Sequence, residues 1–170
     1  MWVNGAKERW MNFYQVYLAS LVDGLRESSD SEALRRASEK AGRDLAIYMN
    51  HLGMETADVV DALALLNAAM GLADRFRVSA EDGALMVMVH KPTCRMCPGL
   101  INGSGQPTRK CPLYGLVRGF LEGQGIAALE YDSSEPTNGG EWCVLRYKVE
   151  GSRARSYRTT ATGGARVSTG

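Results

Sequence analysis

Between Asn4 and Glu27 the apolar residues Trp10, Phe13, Tyr14, Tyr17, Leu18, Leu21 and Leu25 recur every three or four positions among polar neighbours. That spacing keeps them on one face of a helix of about 3.6 residues per turn, and it predicts helix one. The next stretch, "SSDSEALRRASEKAGRDLAIYMNHLG", predicts helix two, with Leu34, Ala37, Ala41, Leu45 and Tyr48 on one face. Its Ser and Asp residues offer caps at the start, and Gly53 offers a stop. Helix three is expected in "METADVVDALALLNAAMG", where Val59, Leu63, Leu66 and Met70 share a face. There Thr56 is the expected cap, and Asp58 sits in the first turn, where its charge suits the helix dipole.

After Gly71 the period shortens to that of strands. Leu72 to Ser79 and Ala84 to Lys91 flank "AEDG" and predict a hairpin, its second strand apolar on both faces. Pro112 opens a fourth helix in "CPLYGLVRGFLEGQG", with Leu113, Leu116, Val117 and Phe120 inward and an end at Gly123 or Gly125. "IAALEYDSS" and "GEWCVLRYKVE" predict two more strands across the turn-rich "EPTNGG". Residues 151–170 carry four arginines, no acid and no periodicity, and are expected to form a mobile basic tail. The expected architecture is a single α+β domain over residues 1–150. Amino-terminal helices pack on a mainly antiparallel four-stranded sheet, with a further helix before the last hairpin. The aromatic side chains of helix one, within residues 1–28, exceed what a lone small domain needs there and predict a homodimer through that helix.

Composition removes several function classes. With 170 residues and 45% of them apolar, the chain can build a real core without disulfides. Twenty basic against nineteen acidic side chains argue against a nucleic-acid footprint over the whole domain, so no direct nucleic-acid binding is expected of it. No apolar run approaches the roughly eighteen residues of a membrane span, and charges stand where a signal peptide has its apolar core. A cytoplasmic protein with reduced thiols is the expectation.

Three of the four cysteines gather in "PTCRMCPGLINGSGQPTRKCPLYG", and the fourth lies in the last strand. Cys94 and Cys97 are separated by two residues, Cys111 follows after thirteen and Cys143 after another thirty-one. The close pair supplies one edge of a tetrahedral zinc site, because two thiolates on a tight turn can both reach one metal. The other two are singletons, so the pattern is not the paired knuckle of a zinc ribbon. His90, four residues before Cys94, is an alternate ligand. A thioredoxin-like redox pair is disfavoured because "PGLINGSGQP" follows in place of the helix such a pair needs. A thiol switch, an iron–sulfur site and a Cys143 that merely fills the core stay open.

The last third of the chain, "CPLYGLVRGFLEGQGIAALEYDSSEPTNGGEWCVLRYKV", resembles the vinyl-4-reductase, or hydrocarbon-binding, domain family. Cys111, Gly115, Gly119, Gly123, Glu130, Gly140 and Cys143 follow that family's pattern in order, and "RRASEKAGRDLAIYM" is similar to its early helix. The resemblance implies a domain that binds small apolar or aromatic molecules, as in the sensors of aromatic-responsive activators. It also implies a zinc held by the cysteine before the helix, the glutamate, a cysteine soon after it and the final cysteine. Cys111, Glu130 and Cys143 match, whereas position 133 is a serine. Cys94 and Cys97 then replace the missing ligand, which makes Cys94, Cys97, Cys111 and Cys143 the expected zinc site and leaves Glu130 to orient one of the ligands or to serve as an alternate one.

The remaining features add less. Gly115, Gly119 and Gly123 lie on one helical face and permit close approach of a neighbouring backbone; Arg118 and Glu122 exclude a membrane role for that row. Tyr48, Met70, Phe76, Met86, Met88 and Tyr114 are the expected lining of an adaptable apolar pocket. The acids Asp58, Asp61, Asp74, Glu81 and Asp82 show no convergent spacing, and no triad, phosphate loop or dinucleotide fingerprint occurs, so no catalytic residue is named. The expected function is a small-molecule sensor domain with structural zinc. The alternatives are a redox-responsive thiol or iron–sulfur regulator and, from the resemblance alone, a tetrapyrrole-related enzyme or assembly factor.

Overall fold

The structure is a computed structural model that describes residues 31–81, 83–96, 111–131, 137–139 and 141–149, together with Arg9, Trp10, Gln15, Leu18 and Leu25. Most of helix one, Cys97 and the tail at 151–170 therefore lie outside the described residues. Helix α1 spans Ser31–His51, α2 Val59–Met70 and α3 Pro112–Gly123; the strands are β1 Phe76–Glu81, β2 Ala84–His90, β3 Leu129–Tyr131, β4 Thr137–Gly139 and β5 Trp142–Val149. Among the described residues no helix is long and apolar enough to cross a membrane.

All strand pairings are antiparallel, in the order β1-β2-β5-β3, with β4 also on β5. The sheet is thus four strands wide, and its outer position is filled by β3 and β4 in turn. The expectation had placed β4 within a turn. Alternation sends Leu85, Val87 and Val89 of β2 and Leu145 and Tyr147 of β5 to the helical side, where all five are buried. Asp58 caps α2 by accepting from the Asp61 amide at 2.9 Å. Thr56, the expected cap, instead donates its amide to Gln124 at the end of α3. Strand β1 begins four residues later than the pattern implied because Asn67 bonds both polar backbone groups of Ala73, at 2.8 and 3.0 Å, and turns the chain there.

Helix α3 is the middle layer, with nine of its twelve residues buried between α1 and the sheet. Its contact with α1 is made by small residues. A Cβ added to Gly115 would stand 2.6 Å from the Arg35 carbonyl oxygen, and one added to Gly123 would stand 2.7 Å from the Ala46 Cβ. Gly119 and Gly42 sit still closer, each against backbone of the opposite helix. This packing rotates α1 about its axis from the expected orientation, and of the expected face only Leu34 is fully buried. The buried residues are Leu34, Ser38, Ala46 and Met49, with Gly42 among them, whereas Ala37, Ala41 and Tyr48 are exposed and Leu45 is half-buried. Ser38 is accommodated because its hydroxyl donates to the Leu34 carbonyl at 2.8 Å.

Substituting Gly119 by Ala forces a methyl group onto the Glu39 backbone, which cannot yield without separating the helices. Gly119→Ala is expected to cost roughly 2–3 kcal/mol and to lower the thermal midpoint by about 5–10 °C. Gly53→Ala, which meets open space at a φ of 76°, is expected to cost no more than about 1 kcal/mol. Equal midpoints for the two variants in thermal denaturation would contradict the close-packed interface.

Candidate functional site at the thiol-bearing ends and the tyrosine layer

Cys94 follows the short 3-10 turn Lys91–Thr93 that ends β2; it is buried, and its amide donates to the Lys91 carbonyl. The Lys91 amide donates to the Glu141 carbonyl at 2.8 Å, which ties this end of β2 to the start of β5. Cys143 pairs with Val89 across that ladder and shares the inward parity of Leu145 and Tyr147. Cys111 is the residue before α3, half-buried against the core, and its carbonyl accepts from the Tyr114 amide. None of the three is in a disulfide. Among the described residues no three His, Cys, Asp or Glu side chains form a group able to hold a metal; Cys97 lies outside them.

The two alternate ligands are placed differently. Glu130 pairs with Lys148 and is exposed on the sheet face opposite to Cys143. His90 is buried with both ring nitrogens engaged, Nε2 at 2.6 Å from an Arg75 guanidinium nitrogen and Nδ1 at 3.0 Å from the Thr93 hydroxyl. Arginine can only donate, so Nε2 is the acceptor and Nδ1 carries the proton. The Trp142 ring stands edge-on to His90 at 5.3 Å, and Arg77 lies 4.3 Å above the Trp142 ring. This His–Arg–Trp cluster was missed by the sequence reading. The alternation of Arg75 and Arg77 opposite His90 and Trp142 was its only signal.

On the helical side, Cys111 leads into a cluster of three tyrosines whose rings are tilted against one another. The Tyr114 ring lies 4.5 Å from Tyr131 and 5.0 Å from Tyr147. The Tyr147 hydroxyl donates to the Tyr114 carbonyl, and the Tyr114 hydroxyl to the Arg146 carbonyl. The Tyr131 hydroxyl donates to Glu39 at 2.5 Å, while Arg118 bridges Glu39 and Glu122 at 3.2 and 3.0 Å. Arg35 and Arg118 both lie over the Tyr131 ring, at 4.5 and 4.9 Å. Burial works against the charge on Arg118, but Glu122 and Glu39 outweigh it and hold the guanidinium more firmly protonated than usual. Burial, then the hydrogen bond to Glu39, pushes the Tyr131 phenol well above its ordinary range; burial does the same to Tyr147. Both phenols are therefore fixed as donors and are not available as bases.

The six expected pocket residues do not converge. Tyr114 is in the tyrosine layer, and Met70 and Phe76 pack at the edge of the core. Met86 and Met88 have the parity of the outer sheet face, and Tyr48 is 61% exposed on α1. Chain topology separates them, because β2 sends alternate residues to opposite faces and α1 turns Tyr48 away from α3.

Comparison with known proteins corrects the family reading. The sequence model of the MJ0207 family matches residues 30–149, and the chain belongs to that family. It is 29% identical over 114 residues to the uncharacterized protein MJ0207 of Methanocaldococcus jannaschii, covering 66% of this chain and 70% of that one. Neither match points to a vinyl-4-reductase domain, and that resemblance is withdrawn. The structure supplies a reason for the misleading pattern: Gly115, Gly119 and Gly123 are explained by helix packing, and Glu130 and Cys143 occupy opposite faces of the sheet.

Tyrosine ordinarily ionises near pH 10.0, whereas the folded protein retains the Tyr131 and Tyr147 protons above that. The folded state then binds more protons than the unfolded state, so this contribution to stability is complete below about pH 10 and is lost as pH rises beyond it. Urea midpoints are expected to be level from pH 8 to 9.5 and to fall by pH 11, with a shallower fall in Tyr131→Phe. In absorbance at 295 nm, two tyrosines should ionise only together with unfolding; their ionisation in the native protein near pH 10 would refute the assignment.

Proposed function

We propose that this MJ0207-family chain is a metal-stapled binding domain of a regulatory kind, in which Cys94, Cys97, Cys111 and Cys143 hold zinc as four thiolates. The thirteen residues between Cys97 and Cys111 are then the recognition segment that the metal presents. One observation supports the reading above others. The three described thiols stand just after the turn that follows β2, immediately before α3 and within β5, and all three are outside disulfides. Binding draws these thiols and Cys97 together, so metal affinity is at the same time ordering energy for the segment. Four thiolates close the coordination shell, which suits a structural metal and not a catalytic one. The apolar-ligand reading has less support, because the resemblance behind it is withdrawn and only Met70, Phe76 and Tyr114 of its six residues share one core.

Protein purified without added metal is expected to contain about one zinc per chain and no visible absorption; a broad visible band would indicate an iron–sulfur cluster in its place. Cys111→Ser and Cys94→Ser should each lose most of the metal and destabilise the fold under reducing conditions by on the order of several kcal/mol, read as a lower thermal midpoint. Metal-free wild type, or serine variants with unchanged metal and midpoint, would defeat the proposal. Metal-free wild type whose midpoint shifts on oxidation would favour the thiol switch.

A further inference from the structure

Arg35, Arg36, Arg43, Arg95 and Arg118 each reach a carboxylate. Arg75 and Arg77 differ from them. Both are exposed, and among the described residues neither has a carboxylate within ion-pair distance. Their Cζ atoms nevertheless lie 5.7 and 4.3 Å from the centre of one ring, that of Trp142. Two like charges gathered on one aromatic side chain repel each other, and the ring offsets only part of that repulsion.

The pair is held from beneath. Arg77 pairs with Met88, and Met88 and His90 pair with Val144 and Trp142, so this cluster has the parity of the sheet face away from Leu85, Val87 and Val89. Arg75 stands beside it, because its carbonyl accepts from the His90 amide at 3.1 Å. Arg75 uses one of its five N–H groups on Nε2 of His90, which is buried and fixed in turn by Thr93. Arg77 rests on Trp142, whose ring stands edge-on to His90. The two guanidinium groups are thus positioned in advance, and a ligand that binds them loses little to ordering. Glu141 is the carboxylate that approaches the cluster; it lies 3.9 Å from His90 Nε2 with its side chain 73% exposed, and it pairs with neither arginine. Lys148, farther along β5, stands opposite Glu130 and is not counted with the pair.

We infer that Arg75 and Arg77, set on His90 and Trp142, form a binding site for the phosphate group of a phosphate monoester. A guanidinium fork matches a pair of phosphate oxygens, and two forks balance a double negative charge, whereas a carboxylate is satisfied by one. A phosphate monoester has its second pKa at about 6 and is doubly charged above it. A phosphodiester carries a single charge per phosphate, so the pair favours a monoester over a nucleic-acid backbone. The site stands apart from the metal reading, since none of the four cysteines takes part in it.

Calorimetric titration of the full chain, above pH 7 and at fixed ionic strength, is expected to show saturable one-to-one binding of phenyl phosphate. Benzoate and dimethyl phosphate should bind about 10-fold more weakly or less. Arg75→Gln and Arg77→Gln should each weaken phenyl phosphate by about 10-fold, and Arg77→Gln should keep the wild-type thermal midpoint because its side chain is exposed. If Arg75→Gln disturbs His90 and the fold, Arg77→Gln decides alone. Glu141→Gln should tighten binding, because it removes a negative charge beside the site. Arg36→Gln, whose partner is Glu32 on α1, should leave it unchanged. Absence of saturable binding, equal affinity for benzoate, wild-type affinity in Arg77→Gln or weaker binding in Glu141→Gln would each overturn the inference. Tighter binding of an oligothymidylate without terminal phosphates would overturn it as well, and would assign the arginines to a nucleic-acid backbone.

Discussion

Everything in this fold is arranged around how closely α1 and α3 approach. Gly42 on one helix and Gly115, Gly119 and Gly123 on the other let the helices approach closely, and at none of these four positions is there space for a Cβ. Such an approach gains dispersion contacts along the whole interface and excludes water from it. It also makes α3 a two-sided element: its glycine row faces α1, while Leu113, Val117 and Phe120 are buried in the core beneath. Beneath this contact α3 shares one core with α2 and the sheet, and the polar network of Glu39, Arg118, Glu122 and Tyr131 closes the flank where α1, α3 and β3 meet.

The same constraint explains what the sequence concealed. The positions of α1, α2 and α3 and of strands β1, β2, β3 and β5 were legible, because long periodic segments and the Pro112 start are strong local signals. The orientation of α1 was not. Periodicity finds a buried face by the size of its apolar residues, and here Ala37, Ala41 and Tyr48 outscored Ser38, Gly42 and Ala46. A helix that packs through glycine hides its inner face from that measure. The glycine row on α3 was correctly read as a close-packing surface, yet the complementary Gly42 was not matched to it.

The candidate site was partly legible for a related reason. Clustering of cysteines in sequence is visible without a structure, and the ends of β2 and α3 do carry Cys94 and Cys111. Whether a side chain faces a given layer is decided by strand parity and register. These put Glu130 on the side away from Cys143 and leave His90 bound to Arg75 and Thr93. Long-range partners such as Glu39 with Tyr131, ninety-two residues apart, carry no local signature at all.

The exposed side of α1 is held in place through its opposite side. The glycine contacts fix the rotation of α1 about its own axis, because a turn of a few tens of degrees would drive a side chain into the α3 backbone. Arg43 to Glu122, Asn50 to the Gly123 carbonyl and Thr56 to Gln124 fix its carboxy-terminal half, the part that bears Ile47, Tyr48 and Leu52. Small residues within and large apolar residues without therefore follow from one constraint: the inner face fixes the rotation of α1, and that rotation leaves Ile47, Tyr48 and Leu52 outside.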